Sequence, residues 1–263
     1  MLTLLHSVGS SALFKSILLA SLGLGLAARA IENATPRSTP FDCGTDTNHA
    51  SNHFLETIQG LHQGNTGGGS AAALAKRNDL LARAKDNTSA ITVDAVFRIV
   101  AYPDKKDDIA NDMPSAQLDV LNAAYKDYGI SFNLLNVTWT TNVAWAVGEK
   151  DDATDLSGGV LGRCSLPSAH PAPNKSDAFV YASDGCNVNA NTMPGGSMDG
   201  YASGMTAVHE TGHWTGLLHT FEGYGCDGPG DYIDDTPYEK ESTDGCPMAP
   251  RKQTCPDQKG GCV

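Results

Sequence analysis

The stretch His209-Glu210-Thr211-Gly212-His213-Trp214-Thr215-Gly216-Leu217-Leu218-His219 constrains this chain more than any other. It reads HExxHxxGxxH. On a helix, residues four apart share a face, so His209 and His213 present their imidazoles to one point. Glu210 is next to the first of them, placed to hold a water at that point without being a ligand. Gly216 permits a backbone conformation that a Cβ forbids, so the helix can end there and His219 can return to the same point. Three neutral imidazoles with one open position describe a catalytic zinc site rather than a structural one.

The 263 residues suffice for one sizeable domain with short extras. Lys and Arg number 18 against 30 Asp and Glu, a formal net charge of -12, so the chain has no general attraction to nucleic-acid phosphate and no nucleic-acid partner is expected. Residues 1–30 have the form of a secretory signal peptide: Lys15, then an apolar run from Ile17 to Ala27, then the small-x-small Ala28-Arg29-Ala30. That run is too short to span a bilayer, and no later stretch is long enough, so a secreted, extracellular product without a membrane partner after signal cleavage is expected. Cys43, Cys164, Cys186, Cys226, Cys246, Cys255 and Cys262 show no CxxC spacing, which in a secreted protein reads as disulfides with one thiol left over. Asn33, Asn87, Asn136 and Asn174 each open an Asn-x-Ser/Thr acceptor, as in a glycoprotein. A monomer is expected.

The domain reading is a signal peptide over 1–30, an N-terminal pro-like, helical segment over 31–89, and a catalytic domain over 90–263. Asn52 to Leu61 and Ala71 to Lys85 read as helices, the second with Leu74, Leu80 and Leu81 on its apolar face. His49 and His53, although four apart, lack a third ligand and read as surface residues. Ile91 to Tyr102 alternates as a strand, with Ile91, Val93, Ala95, Phe97 and Ile99 on one face. Pro114 opens a helix that runs through Tyr128 and is closed by Gly129, and Ile130 to Thr140 is a second strand. Strand, helix, strand is a crossover unit consistent with a parallel pair. Trp145 to Gly162 shows no convincing strand, whereas Val160 to Leu166 and Ala178 to Ala182 are short strand candidates. Pro194-Gly195-Gly196-Ser197 is a turn, and Ser203 is the candidate N-cap of the helix carrying the zinc motif.

The motif through Phe221 resembles that of the pappalysin-type metzincins, and especially the small secreted fungal metalloproteases of that group. Leu118-Asp119-Val120-Leu121-Asn122, Gly129-Ile130-Ser131-Phe132, Pro194-Gly195-Gly196-Ser197, Gly230-Asp231-Tyr232-Ile233-Asp234-Asp235-Thr236-Pro237 and Gly245-Cys246-Pro247 resemble family blocks in family order, from about Cys43 to Cys255. The resemblance implies an α+β fold, a metzincin-like zincin whose twisted mixed sheet packs on a backing helix and an active-site helix. It implies a zinc metalloendopeptidase acting on protein or peptide substrates. In that reading His209, His213 and His219 bind one Zn²⁺, and Glu210 is the catalytic base that activates the zinc-bound water.

Two departures accompany the resemblance. The family's apolar strand between Trp145 and Leu161 is replaced by an acidic, Gly-rich interval. The family's Met-turn and following tyrosine have no counterpart between Cys255 and Val263, so the C-terminal subdomain reads as incomplete. The alternative reading is therefore a catalytically impaired zinc-binding protein, or a truncated isoform lacking the Met-turn. By family analogy Cys226 pairs with Cys255, Cys262 substitutes as partner of Cys246, and Cys164 pairs with Cys186 by remainder. Asp42-Cys43-Gly44-Thr45 resembles a Cys-Gly element near the family's N-terminus, which makes Cys43 a candidate latency thiol for the open metal position, its alternative being an ordinary disulfide. Asp227, Asp231, Asp234 and Asp235 are either a calcium site or a solvated acidic loop.

Overall fold

The structure, a computed structural model, describes residues 2–4, 17–20, 43–65, 90–147, 159–167, 184–233, 236–243 and 252–256. In chain order its elements are β1 (Leu2–Leu4), β2 (Ile17–Ala20), α1 (Asn52–Asn65), β3 (Ile91–Ala101), α2 (Met113–Tyr125), β4 (Ile130–Thr141), α3 (Val143–Val147), β5 (Gly162–Cys164), β6 (Cys186–Asn189) and α4 (Met205–Trp214). The strands form one mixed sheet in the order β4-β3-β1-β2-β6-β5. The expected crossover unit is present. β3 and β4 pair in parallel from Ile91↔Ile130 to Ala101↔Thr141, with a register shift after Ala95 that leaves Leu135 as the extra residue.

β3 is covered on both faces. Val93, Ala95, Phe97 and Ile99 point into the main core with Met113, Leu121, Phe132, Val188, Met193 and Ala207, while Val100 meets Ala146 of α3 on the other side. Phe97 and Ile99 are fully buried, each contributing about 1.5–3 kcal/mol relative to exposure. Pro114 sits in the first turn of α2, where its missing N–H costs no helical bond. The helix runs on as a tight turn over Lys126–Tyr128 and stops at Gly129, whose φ of 70° is left-handed. Asn122 of α2 clamps the start of β4, its amide donating to Phe132 O at 3.1 Å and its carbonyl accepting from Phe132 N at 2.7 Å. α2 thereby becomes a fixed wall against which α4 packs.

Several sequence readings shift at the boundaries. β1 and β2 fall inside the stretch read as a signal peptide and lie between β3 and β6. Of the Trp145 to Gly162 interval, 145–147 belongs to α3, and residues 148–158 lie outside the description. The segments Ala71 to Lys85 and Ala178 to Ala182 also lie outside it. The described strand following the second is Cys186–Asn189. Ser203 does not cap α4. The N-cap is Gly204 at φ 80°, with no side-chain cap, because the chain enters the helix in a left-handed conformation that serine adopts only at a cost. Among the described residues no helix is long and apolar enough to cross a membrane.

Candidate metal centre

α4 carries His209, Glu210 and His213 in its last two turns. Its end is a Schellman motif: Leu217 N donates to Gly212 O at 3.0 Å and Gly216 N to His213 O at 2.9 Å. Gly216 adopts φ 107°, the conformation the sequence required of it. That turn does two things. It sends the chain back so that His219 faces the helix, and it aims Leu217 O at His213 Nδ1, 2.8 Å away. A carbonyl only accepts, so Nδ1 carries the proton and His213 Nε2 presents a bare lone pair.

His213 Nε2 lies 2.9 Å from His209 Nε2 and 3.0 Å from His219 Nε2. Cys43 Sγ is 3.5 Å from the same atom, and the donor atoms of all these residues fall within 4.8 Å of one another. Tetrahedral Zn–N bonds of about 2.0–2.1 Å separate two ligand nitrogens by roughly 3.4 Å, so a small inward-pointing cage of this kind fits zinc with slight expansion. The electrostatics agree. Burial, reinforced by the neighbouring His213, lowers the pKa of His209 to about 4. Burial, with help from His213 and His209, lowers that of His219 to about 3, and burial lowers His213 as well. Near neutrality these are uncharged imidazoles with lone pairs converging, which is what a cation needs. His219 is further fixed by the ring of Phe221, stacked at 4.7 Å and 9°, and by Glu222, whose Oε2 is 3.9 Å from its Nδ1.

Glu210 is 1% exposed and lies beside the cage. Its Oε2 accepts from Thr45 Oγ1 at 3.2 Å, whereas Oε1 is buried with no hydrogen-bond partner among the described residues. Burial raises its pKa to about 8, partly offset by the hydrogen bonds from Cys43 and Thr45 and by the charge of Arg163. An orphaned buried carboxylate oxygen beside three convergent imidazoles suits a water held between base and metal. Gly162 of β5 forms the wall: a Cβ there would lie 2.5 Å from Glu210 Cγ.

The cage is held from behind. Tyr125 of α2 donates to Val208 O at 2.9 Å, and the fully buried Gln117 donates to Gly204 O at 3.0 Å. Trp214 Nε1 donates to Asp184 Oδ1 at 2.9 Å, tying the C-terminal end of α4 to the segment before β6. Cys164–Cys186 joins β5 to β6, and Cys226–Cys255 ties the loop after His219 to the C-terminal segment. Cys226–Cys255 is the pairing the family analogy implies, and Cys164–Cys186 is the one expected by remainder.

The remaining candidates divide. Cys43 is free and lies at the cage. Burial, with the charge of Glu210, drives its thiol pKa well above the usual range, so an ionised sulfur here requires a cation beside it. Cys246 and Cys262 lie outside the described residues, as do Asn33, Asn87 and Asn174. Asn136 is exposed on β4, and His53 is exposed on α1. Asp227 is exposed, Asp231 accepts from Ile233 N at 3.0 Å, and Asp234 and Asp235 are not described. Among the described residues these aspartates form no metal-holding group. The sequence reading missed Thr45, Gly162, Asp184 and Glu222. The only signals were the Cys-Gly-Thr run at Cys43 and a glycine two residues before Cys164.

The family model Peptidase_M43, described as pregnancy-associated plasma protein-A, matches residues 183–259, the part of the chain that carries α4 and the loop after it. An extracellular metalloprotease of Sordaria macrospora is 34% identical over 265 residues, covering 94% of this chain and 85% of the relative. One of Neurospora crassa shows the same identity and coverage. An extracellular metalloprotease of Colletotrichum graminicola is 38% identical over 189 residues, 65% of each chain.

Proposed function

The chain belongs to the pappalysin-like Peptidase_M43 family and is a metalloendopeptidase, and on that premise we propose that it is a secreted zinc enzyme with Glu210 as its base. His209, His213 and His219 hold the metal. The observation that carries this reading is the meeting of their Nε2 atoms, 2.9 and 3.0 Å apart, beside a buried carboxylate with one unpartnered oxygen. Zinc, when bound, supplies a Lewis acid to the reacting carbonyl and lowers the pKa of water at the site. Leu217 O holds His213 in the tautomer that leaves Nε2 unprotonated. Glu210 Oε1 takes a proton from water as its oxygen bonds to the peptide carbon. The carboxyl then gives that proton to the amine nitrogen as the C–N bond breaks, so Glu210 ends as it began. Burial, which raises its pKa to about 8, keeps this carboxyl a competent acid for the second step, and a cation alongside would draw it down for the first.

Secretion is supported by the names of the relatives and by the apolar stretch before Ala30. Cys43, 3.5 Å from His213 Nε2, is the latency thiol that fills the open metal position before processing. Asn136, exposed on β4, is the glycosylation site best supported by its surroundings. The test is cleavage of a denatured protein substrate by the secreted product and by its Glu210→Ala variant. Hydrolysis by the first and at least a hundredfold less by the second is expected. Equal activity in the two overturns the assignment of Glu210.

A further inference from the structure

The segment from Cys43 to Thr47 meets the site at alternate residues. Extended backbone sends side chains i and i+2 to one side, and Thr47 opens the 3-10 turn that follows. Here Cys43 Sγ reaches His213 at 3.5 Å, and Thr45 Oγ1 reaches Glu210 Oε2 at 3.2 Å. Thr47 Oγ1 donates to Glu222 Oε1 at 2.7 Å, on the carboxylate beside His219. The segment runs as a parallel addition to the edge of β5, with a bridge between Cys43 and Gly162 and Gly44 N donating to Gly162 O at 2.8 Å. Gly44 lies under Arg163, where a Cβ would come 2.6 Å from Nε and the guanidinium would have to shift to admit it.

Thr45 is the buried centre of this grip, 5% exposed. Its hydroxyl accepts from Cys164 N at 2.8 Å, and its single proton has Glu210 Oε2 at 3.2 Å as the nearer acceptor, with Cys164 O at 3.4 Å. Thr45 N also donates to Cys43 Sγ at 3.3 Å. One residue therefore touches the catalytic base, the inhibitory sulfur and the sheet edge.

Resting on the zinc-site and Cys43 latency reading given above, we propose that Thr45 is a second latch: its hydroxyl engages Glu210, so that opening the site requires breaking this bond as well as releasing Cys43. Latency is then cooperative across one short segment. Loss of either arm weakens the hold of the other, and a chain lacking only the thiol stays partly closed.

The measurement is the rate at which Cys43 is alkylated by iodoacetamide in the full-length, zinc-loaded protein, with zinc content matched between variants. A sulfur held by local structure reacts only on local opening. Because a hydrogen bond to a buried carboxylate is among the stronger ones, Thr45→Val should speed alkylation by about 10–100-fold. Thr45→Ser should keep the slow wild-type rate, which separates the hydroxyl from side-chain packing. Thr45→Ala, which removes the hydroxyl without adding a branched side chain, should speed alkylation as Thr45→Val does and serves where Thr45→Val fails to fold. Proteolytic activity gives the second readout: Cys43→Ala/Thr45→Val should exceed Cys43→Ala by about tenfold. A protected thiol in wild type with equal protection in Thr45→Val overturns the role of Thr45 alone. Equal acceleration in Thr45→Ser and Thr45→Val overturns the role of the hydroxyl. A wild-type thiol that reacts as fast as free cysteine overturns the latency reading itself, and this proposal with it.

Discussion

Replacing Gly162 with alanine tests how tightly the base is seated. The new Cβ would stand 2.5 Å from Glu210 Cγ and 2.6 Å from Oε1, against the 3.4 Å at which ordinary contact begins. Cγ is near the backbone of a residue only 1% exposed, so the side chain cannot swing its far end away. Something must move by roughly 0.9 Å, and a misplacement of about 1 Å in a reacting group costs about 10²-fold in rate, or about 2.7 kcal/mol of transition-state stabilisation. The assay is kcat/KM on a quenched-fluorescent peptide, alongside zinc content, for wild type and Gly162→Ala prepared the same way. A loss of about a hundredfold with zinc retained is expected, since the nitrogens of His209, His213 and His219 are not in the path of the methyl. Activity within threefold of wild type would refute the steric argument. Loss of zinc would show that the damage reaches the ligands instead.

The other predictions concern stability and pH. In metal-free protein Glu210 stays protonated when folded up to about 8 against 4.5 unfolded, so its contribution is full below 4.5 and lost as pH rises through about 8. His209 and His219 are neutral when folded down to about 4 and about 3, so their contribution is present above 6.5 and lost as pH falls through those values. The melting temperature of chelator-treated protein should therefore peak near pH 6.5, and a steady rise from there to pH 8 would contradict the burial of Glu210. Replacing Cys164 and Cys186 by serine opens a bridge between residues 22 apart in sequence and should cost about 3 kcal/mol in denaturant unfolding. Tyr125→Phe removes the hydrogen bond to Val208 O and should cost about 1 kcal/mol, with zinc content unchanged.

The convergence of the three histidines was legible because a helix and a glycine stop convert spacing into position. His209 and His213 share a face, and Gly216 brings His219 round. The β3-α2-β4 unit was legible for a similar reason: alternation, an opening Pro114 and a closing Gly129 are local signals. Thr45 was not, because it meets Glu210 across 165 residues through the edge of β5, and nothing local to either encodes that register. Gly162 reads in sequence as one glycine among 28, and its meaning appears only when α4 lies across it. Ser203 misled because a polar residue before a helix is the usual cap, whereas here the left-handed Gly204 makes the entry. Asp184 binds the indole of Trp214 from a segment whose approach depends on the pairing of β5 with β6.

The most direct test of the proposed zinc site is hydrolysis during a zinc titration of activated protein stripped by chelator. No cleavage is expected before zinc is added, then a rise in proportion to zinc and saturation at one equivalent per chain, since the cage of His209, His213 and His219 is the single metal-holding group among the described residues. Cleavage that survives stripping, or one equivalent of zinc taken up by activated protein without cleavage, would contradict it.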